Sequence, residues 1–472
     1  MPAPMTMTRE PPAAGSEDEI DMVKDPACRP ITNKKQRGAK RLCPPCRSRT
    51  QDIQSPIEEI AMTDIPRPAP IGHVHNPHAA PETPYGPALQ AILSAEGFAA
   101  ARREILGWPD YASTPLHRLP GLAEAAGVAD IWYKDEGGRF GLGSFKALGG
   151  AYAVGRVLAR EAATRSGAKT ITSADLRAGR HRDLVSGLTV CAATDGNHGR
   201  SVSWGAQQFG CRCVIYIPDA VSPGRQLAME RYGAEVRRID GTFDDAVRKA
   251  GEDSAAQGWF VVADTTYPGY TEIPRDVMHG YGVMVAEVIE QLPEDAPPSH
   301  VFVQGGVGGL AAAVCARLWQ HYGTARPRYA VVEPVAAACF FASARAGRPI
   351  AIQGDLNTVM GGLAAGECSM LAWDLLWAGA DDFLTVSDPA ALEVMRRLSQ
   401  GSAGDPPVVA GESAVAGLAG ALGALRQTET AAALGLGPGS RVLVFGTEGA
   451  TDPKLYREIV GRTPEAVIGS GG

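Results

Sequence analysis

The run Lys134-Asp135-Glu136-Gly137-Gly138-Arg139-Phe140-Gly141-Leu142-Gly143-Ser144-Phe145-Lys146 sets one lysine after a Gly/Ser-rich turn and before a helix-like segment, Ala147–Ala159. The apolar stretch Ile131–Lys134 reads as the strand entering that turn. A lysine at a strand–turn–helix junction lies near helix N-terminal amides and is partly desolvated. Its amine can therefore reach a less protonated, reactive state, as a Schiff-base lysine requires.

Two stretches downstream repeat the pattern. Thr194-Asp195-Gly196-Asn197-His198-Gly199 follows the strand-like Leu188–Ala193. Gly305-Gly306-Val307-Gly308-Gly309-Leu310 lies between the strand-like Val301–Gln304 and the helix-like Ala311–Gln320. Glycines at such a junction let several backbone N–H groups converge on an anion at a helix start. Taken alone, the loop fits any phosphate ligand, or a tight turn with no ligand.

In this order the three stretches resemble the fold-type II pyridoxal-phosphate enzymes, the tryptophan synthase β family. The resemblance covers about Thr114 to Asp452. It implies that Lys146 carries pyridoxal 5′-phosphate as an internal aldimine, with Phe145 in the cofactor-binding set. It sets Asn197 beside the cofactor's 3′ oxygen and makes Gly305, Gly306, Val307, Gly308 and Gly309 the phosphate cup. Thr447, in Phe445-Gly446-Thr447-Glu448-Gly449, would face the pyridine nitrogen. No metal ligands are implied.

Strand-like and helix-like segments alternate along most of the chain, which predicts βαβ units and parallel sheets. The expected fold is α/β, with two domains of twisted, mostly parallel sheets flanked by helices. Residues 76–145 and 265–472 would form the larger, cofactor-binding domain, and 146–264 a smaller inserted one. Residues 1–75 differ: they are rich in Pro, Met and charge and lack a sustained apolar period. They are expected to be a disordered or non-native extension, and Met62 offers an alternative start. Within them, the basic cluster Lys34–Arg41 reads as a solvated tail. Cys43-Pro44-Pro45-Cys46 lacks the second ligand pair that zinc needs.

Composition narrows the function. The 472 residues are 45% hydrophobic and 21% charged, as in globular proteins. A net charge of −7 argues against nucleic acid as the main partner. The longest apolar stretch, Val301–Trp319, is interrupted by Gln304 and Arg317 and reads as strand–loop–helix rather than a membrane span. Nine scattered cysteines imply no disulfide framework, and no apolar signal-like region follows Met1, so a cytoplasmic protein is expected.

Two aspartates narrow the chemistry. Asp195 precedes Gly196-Asn197-His198, where the family's serine and threonine dehydratases usually have serine. A carboxylate there costs desolvation unless it has a cationic partner or proton work. Asp264 follows Phe260–Ala263, and local sequence leaves it open between a turn cap and a substrate contact. The combination resembles the diaminopropionate ammonia-lyase branch through Arg139-Phe140-Gly141-Leu142, Asp195, Asp264-Thr265, Gly411-Glu412-Ser413 and Thr447-Glu448-Gly449. Ala450 and Ala365 depart from that branch's usual aspartate and cysteine.

The resemblance makes Lys146, Asp195 and Asp264 the catalytic set. It implies α,β-elimination of D- or L-2,3-diaminopropionate to pyruvate and two ammonia, in a homodimer. The rivals are a serine/threonine dehydratase and a non-catalytic relative. His198 is expected to order its loop, and Glu448 to brace its own.

Overall fold

The computed structural model describes residues 71–194, 196–401 and 404–469, all within one compact unit, Pro66–Gly472. Lys34–Arg41, the Cys43/Cys46 pair, Met62 and Asp195 lie outside the described residues. The strands are β1 Gly72–His75, β2 Leu116–Arg118, β3 Asp130–Asp135, β4 Thr189–Ala193, β5 Arg212–Pro218, β6 Glu235–Ile239, β7 Phe260–Val261, β8 His300–Gln304, β9 Arg328–Pro334, β10 Asp382–Val386 and β11 Arg441–Gly446.

They form two sheets. One has seven strands in the order β1-β10-β9-β8-β11-β3-β2, parallel except for its edge strands β1 and β2. The other is all parallel, in the order β6-β5-β4-β7. This is the expected α/β architecture. Among the described residues no helix is long and apolar enough to cross a membrane.

The central strands read as continuous apolar runs because both faces are buried. Val301 and Val303, Tyr329 and Val331, Phe383, and Leu443 and Phe445 point into one core, with helix Gly309–Tyr322. Their neighbours Phe302, Ala330, Val332, Leu384, Val386, Val442 and Val444 point into a second core, with helix Ala416–Leu425.

The expected extension overran the fold by a few residues. Gly72–His75 is an edge strand antiparallel to β10. His73 and His75 both reach Asp382, which Arg328 also holds at 2.6 Å. Helix Pro87–Ile92 stops before Ser94, whose hydroxyl accepts the Gly97 N–H and caps a second helix, Ala95–Ile105. Residues 162–186 form a partly helical connection. Helix Lys146–Ser166 runs on into it, and Thr172 with Asp175 forms a capping box for helix Ser173–Arg177.

The loop between β3 and Lys146 hangs from buried charge. Lys134, Glu136, Arg139 and Glu287 are all buried. Arg139 donates to both Glu136 oxygens (2.8 and 2.7 Å) and both Glu287 oxygens (2.8 Å each), and Lys134 Nζ donates to Glu287 at 2.7 Å. Phe140 beside them takes a left-handed backbone, φ 50°, held by ring contacts with Trp204 and Trp108. A bulky residue there stores about 1–3 kcal/mol of strain.

Burial would raise the Glu287 carboxyl, but Arg139 and Lys134 hold it at about 2. Its folded value lies below the ordinary 4.5, so the stability it contributes is full above that pH and is lost as pH falls toward 2. Glu287→Leu is expected to cost about 3–5 kcal/mol in urea unfolding at pH 7, because it leaves two cations facing one carboxylate. The variant should also show a shallower loss of stability than the parent between pH 4.5 and 2.

Candidate active site

Each proposed site loop leaves the carboxyl end of a strand, where open α/β sheets bind ligands. Lys146 opens helix Lys146–Ser166 after β3, the glycine turn follows β8, Thr447 follows β11, Asn197 follows β4, and Asp264 follows β7. Hydrogen bonds tie these loops together. The Phe145 N–H donates to the Thr447 carbonyl (3.0 Å), Gly449 N–H to the Gly143 carbonyl (3.0 Å), and Glu136 N–H to the Gly446 carbonyl (2.8 Å). The Ser201 hydroxyl, one turn into the Asn197 helix, donates to the Lys146 carbonyl at 2.7 Å.

The centre of the site is the contact between Lys146 Nζ and Asp264 Oδ2, at 2.5 Å. Both side chains are 21% exposed, reachable yet mostly desolvated. Burial would raise the Asp264 carboxyl. The charges of Lys146 and His198 and the Lys146 hydrogen bond outweigh it and hold the carboxyl well below its usual range. Asp264 pairs with a side chain 118 residues away, and the next helix begins only at Glu272. Phe145 and Tyr281 present their rings to Nζ, with centroids 5.4 and 5.9 Å away.

His198 Nε2 lies 2.7 Å from the Val262 carbonyl, which can only accept, so Nε2 is protonated. Nδ1 then faces Asp264 Oδ2 at 3.8 Å. The ring ties the Asn197 loop to the segment leading to Asp264, the ordering role expected of it.

The glycine turn suits a phosphate monoester. Gly306 and Gly308 have φ of +60° and +94°, and a Cβ on Gly308 would lie 2.3 Å from the Phe340 ring. Helix Gly309–Tyr322 begins without a side-chain cap, so its N-terminal amides suit an anion. The turn adjoins the lysine: a Cβ on Gly309 would sit 3.6 Å from the Asp264 carbonyl and 4.0 Å from the Tyr281 ring.

Thr447 is buried, and its hydroxyl accepts from Gln304 Nε2 at 3.1 Å. A hydroxyl that accepts on one side keeps its proton to donate on the other, as a pyridine nitrogen requires. Asn197 Nδ2 donates to Glu448 Oε2 at 2.5 Å.

Sequence reasoning missed Gln304 and Tyr281. Gln304 carried a faint signal as an amide closing an apolar strand. Tyr281 carried none, being one of many large residues on an apolar helix.

Residues 108–448 match the family model of pyridoxal-phosphate dependent enzymes. The diaminopropionate ammonia-lyase of Escherichia coli (strain K12) is 38% identical over 362 residues, which cover 76% of this chain and 89% of that relative. The crystal structure of the selenomethionine-incorporated holo diaminopropionate ammonia lyase from Escherichia coli superposes with a TM-score of 0.75 at 34% identity, covering 83% of this chain and 96% of the other. An Escherichia coli (strain K12) biosynthetic L-threonine dehydratase is more distant, 30% identical over 50% of this chain and 44% of its own length. By its match to the family model and its identity to a relative over most of both chains, the chain belongs to the diaminopropionate ammonia-lyase family of pyridoxal-phosphate dependent enzymes.

Proposed function

We propose that this chain removes both amino groups of 2,3-diaminopropionate, D or L, giving pyruvate and two ammonia, with Lys146, Asp264 and Asp195 as its catalytic groups. Gly305, Gly306, Val307, Gly308 and Gly309 seat the cofactor phosphate, Asn197 and Phe145 flank the ring, and Thr447 donates to the ring nitrogen. Bound pyridoxal phosphate supplies the electron sink that acidifies the substrate's Cα–H. A neutral donor at the ring nitrogen favours elimination over long-lived carbanion chemistry.

The observation that carries this reading is the contact between Asp264 Oδ2 and Lys146 Nζ. When Lys146 acts as an uncharged free amine, Asp264 loses its nearest cation. The substrate's β-ammonium supplies one, whereas the hydroxyl of serine does not. Lys146, as a free amine, takes the Cα proton of the L isomer, and Asp195 takes that of the D isomer from the other face.

The same reading puts the cofactor between segment 146–264 and the rest of the fold, in a cytoplasmic homodimer. Its support is the family resemblance, and sedimentation of the holoenzyme at one subunit mass would count against the dimer.

The direct test is pyruvate release from D- and L-2,3-diaminopropionate beside L-serine, with 2-oxobutyrate scored from L-threonine. Strong turnover of diaminopropionate over the hydroxy amino acids is expected, and turnover of serine or threonine alone would sink the proposal. Asp195→Asn is expected to lower kcat on the D isomer by about 10²–10⁴ while sparing the L isomer; equal losses on both would remove its assignment as a face-specific base. Asp264→Asn should lower kcat/KM for both isomers, and an unchanged preference for diaminopropionate over serine would refute its role in holding the β-ammonium.

A further inference from the structure

Glu448 follows the Thr447 turn and is buried. Both its oxygens are occupied by N–H donors: Asn197 Nδ2 on Oε2 at 2.5 Å, and the Ser413 backbone N–H on Oε1 at 3.1 Å. A second buried carboxylate, Glu412, immediately precedes Ser413 in the chain, and Arg225 Nη2 lies 3.5 Å from Glu412 Oε1. Burial and the charge of Glu448 push the Glu412 carboxyl up to about 7. Burial pushes the Glu448 carboxyl up as well, but the N–H donors on its two oxygens and the charge of Arg225 oppose that, so of the pair Glu448 is the one held ionised.

An ionised carboxylate accepts hydrogen bonds and donates none. It therefore dictates which end of the Asn197 amide turns toward it. An asparagine amide has nearly the same shape either way round, and packing alone does not choose between its oxygen and its nitrogen. The cofactor's 3′ oxygen, when ionised, is also an acceptor and needs the nitrogen. Asn197 Nδ2 carries two N–H groups, one for each acceptor.

We propose that Glu448 is a positioning residue that fixes the Asn197 amide with its nitrogen available to the cofactor's 3′ oxygen. This rests on the reading of Asn197 as the neighbour of that oxygen. Glutamine at 448 could donate as well as accept, so it would remove the constraint while nearly preserving the volume. The arrangement is thus a chain of two hydrogen bonds whose polarity is set at one end by a charge.

The test uses the holoenzyme and three variants, Glu448→Gln, Asn197→Ala and the double substitution. The readouts are the visible absorption band of the bound cofactor and its dissociation constant on titration into stripped protein. Each single variant is expected to shift the band and weaken cofactor binding about tenfold, and the double variant to do no more than Asn197→Ala alone. A wild-type band in Glu448→Gln, or effects that simply add in the double variant, would overturn the proposal. Should Glu448→Gln fail to fold, Glu448→Asp keeps the charge but withdraws it by one methylene. An intermediate shift supports the proposal, and none refutes it. Borohydride reduction of the wild-type holoenzyme, followed by peptide mapping, checks the underlying reading separately: label absent from Lys146 would remove that reading, whatever the Glu448 variants do.

Discussion

The guanidinium of Arg139 is the constraint on which the loop before Lys146 depends. It is buried with Lys134, Glu136 and Glu287, and it donates as well to the Ala112 carbonyl and the Thr114 hydroxyl. Four opposite charges in one dry space are stable only as a complete set, since loss of any one strands its partners. The set joins β3, the loop after it and helix Glu272–Gln291. That helix also carries Tyr281, whose ring faces Lys146. One electrostatic knot therefore locates the lysine both along the chain, through the loop, and across the site, through the helix.

From this anchor the site assembles by backbone hydrogen bonding between loops. The turn after β11 pairs with the turn before Lys146, so Thr447 and the lysine share one frame. Close packing sets the neighbouring element. Helix Asn197–Phe209 meets helix Lys146–Ser166 at small residues: a Cβ on Gly150 would lie 2.5 Å from the Ser201 hydroxyl, and one on Gly205 2.8 Å from the Ala151 backbone. Two helices that touch this closely fix the spacing of Lys146 and Asn197, which begin them. Reactive groups drawn from distant parts of the sequence are thus held by rigid elements.

The strand–glycine–helix junctions were legible in the sequence because backbone geometry itself demands glycine there. Gly306 and Gly308 adopt conformations that other residues enter only with strain. Strands buried on both faces were legible as apolar runs. The edge strand β1 was not, since it is short, half-exposed and paired with a partner more than 300 residues away. Asp264 reads two ways in the sequence because its lysine partner lies 118 residues away. Buried polar residues such as Gln304 and Glu448 resemble surface residues in a sequence, because what justifies their burial is a set of partners from other loops.

The two-core sheet bears on how this scaffold can diversify. A strand residue such as Phe302 or Val303 cannot change size without repacking one core or the other. Freedom to vary lies instead in the short segments just beyond each strand's carboxyl end, where Asp264, Asn197 and Thr447 sit. A descendant of this chain could therefore acquire a new substrate by rewriting a few residues at those rims while inheriting the sheet unaltered. Strand sequence would then record ancestry, and rim sequence would record diet.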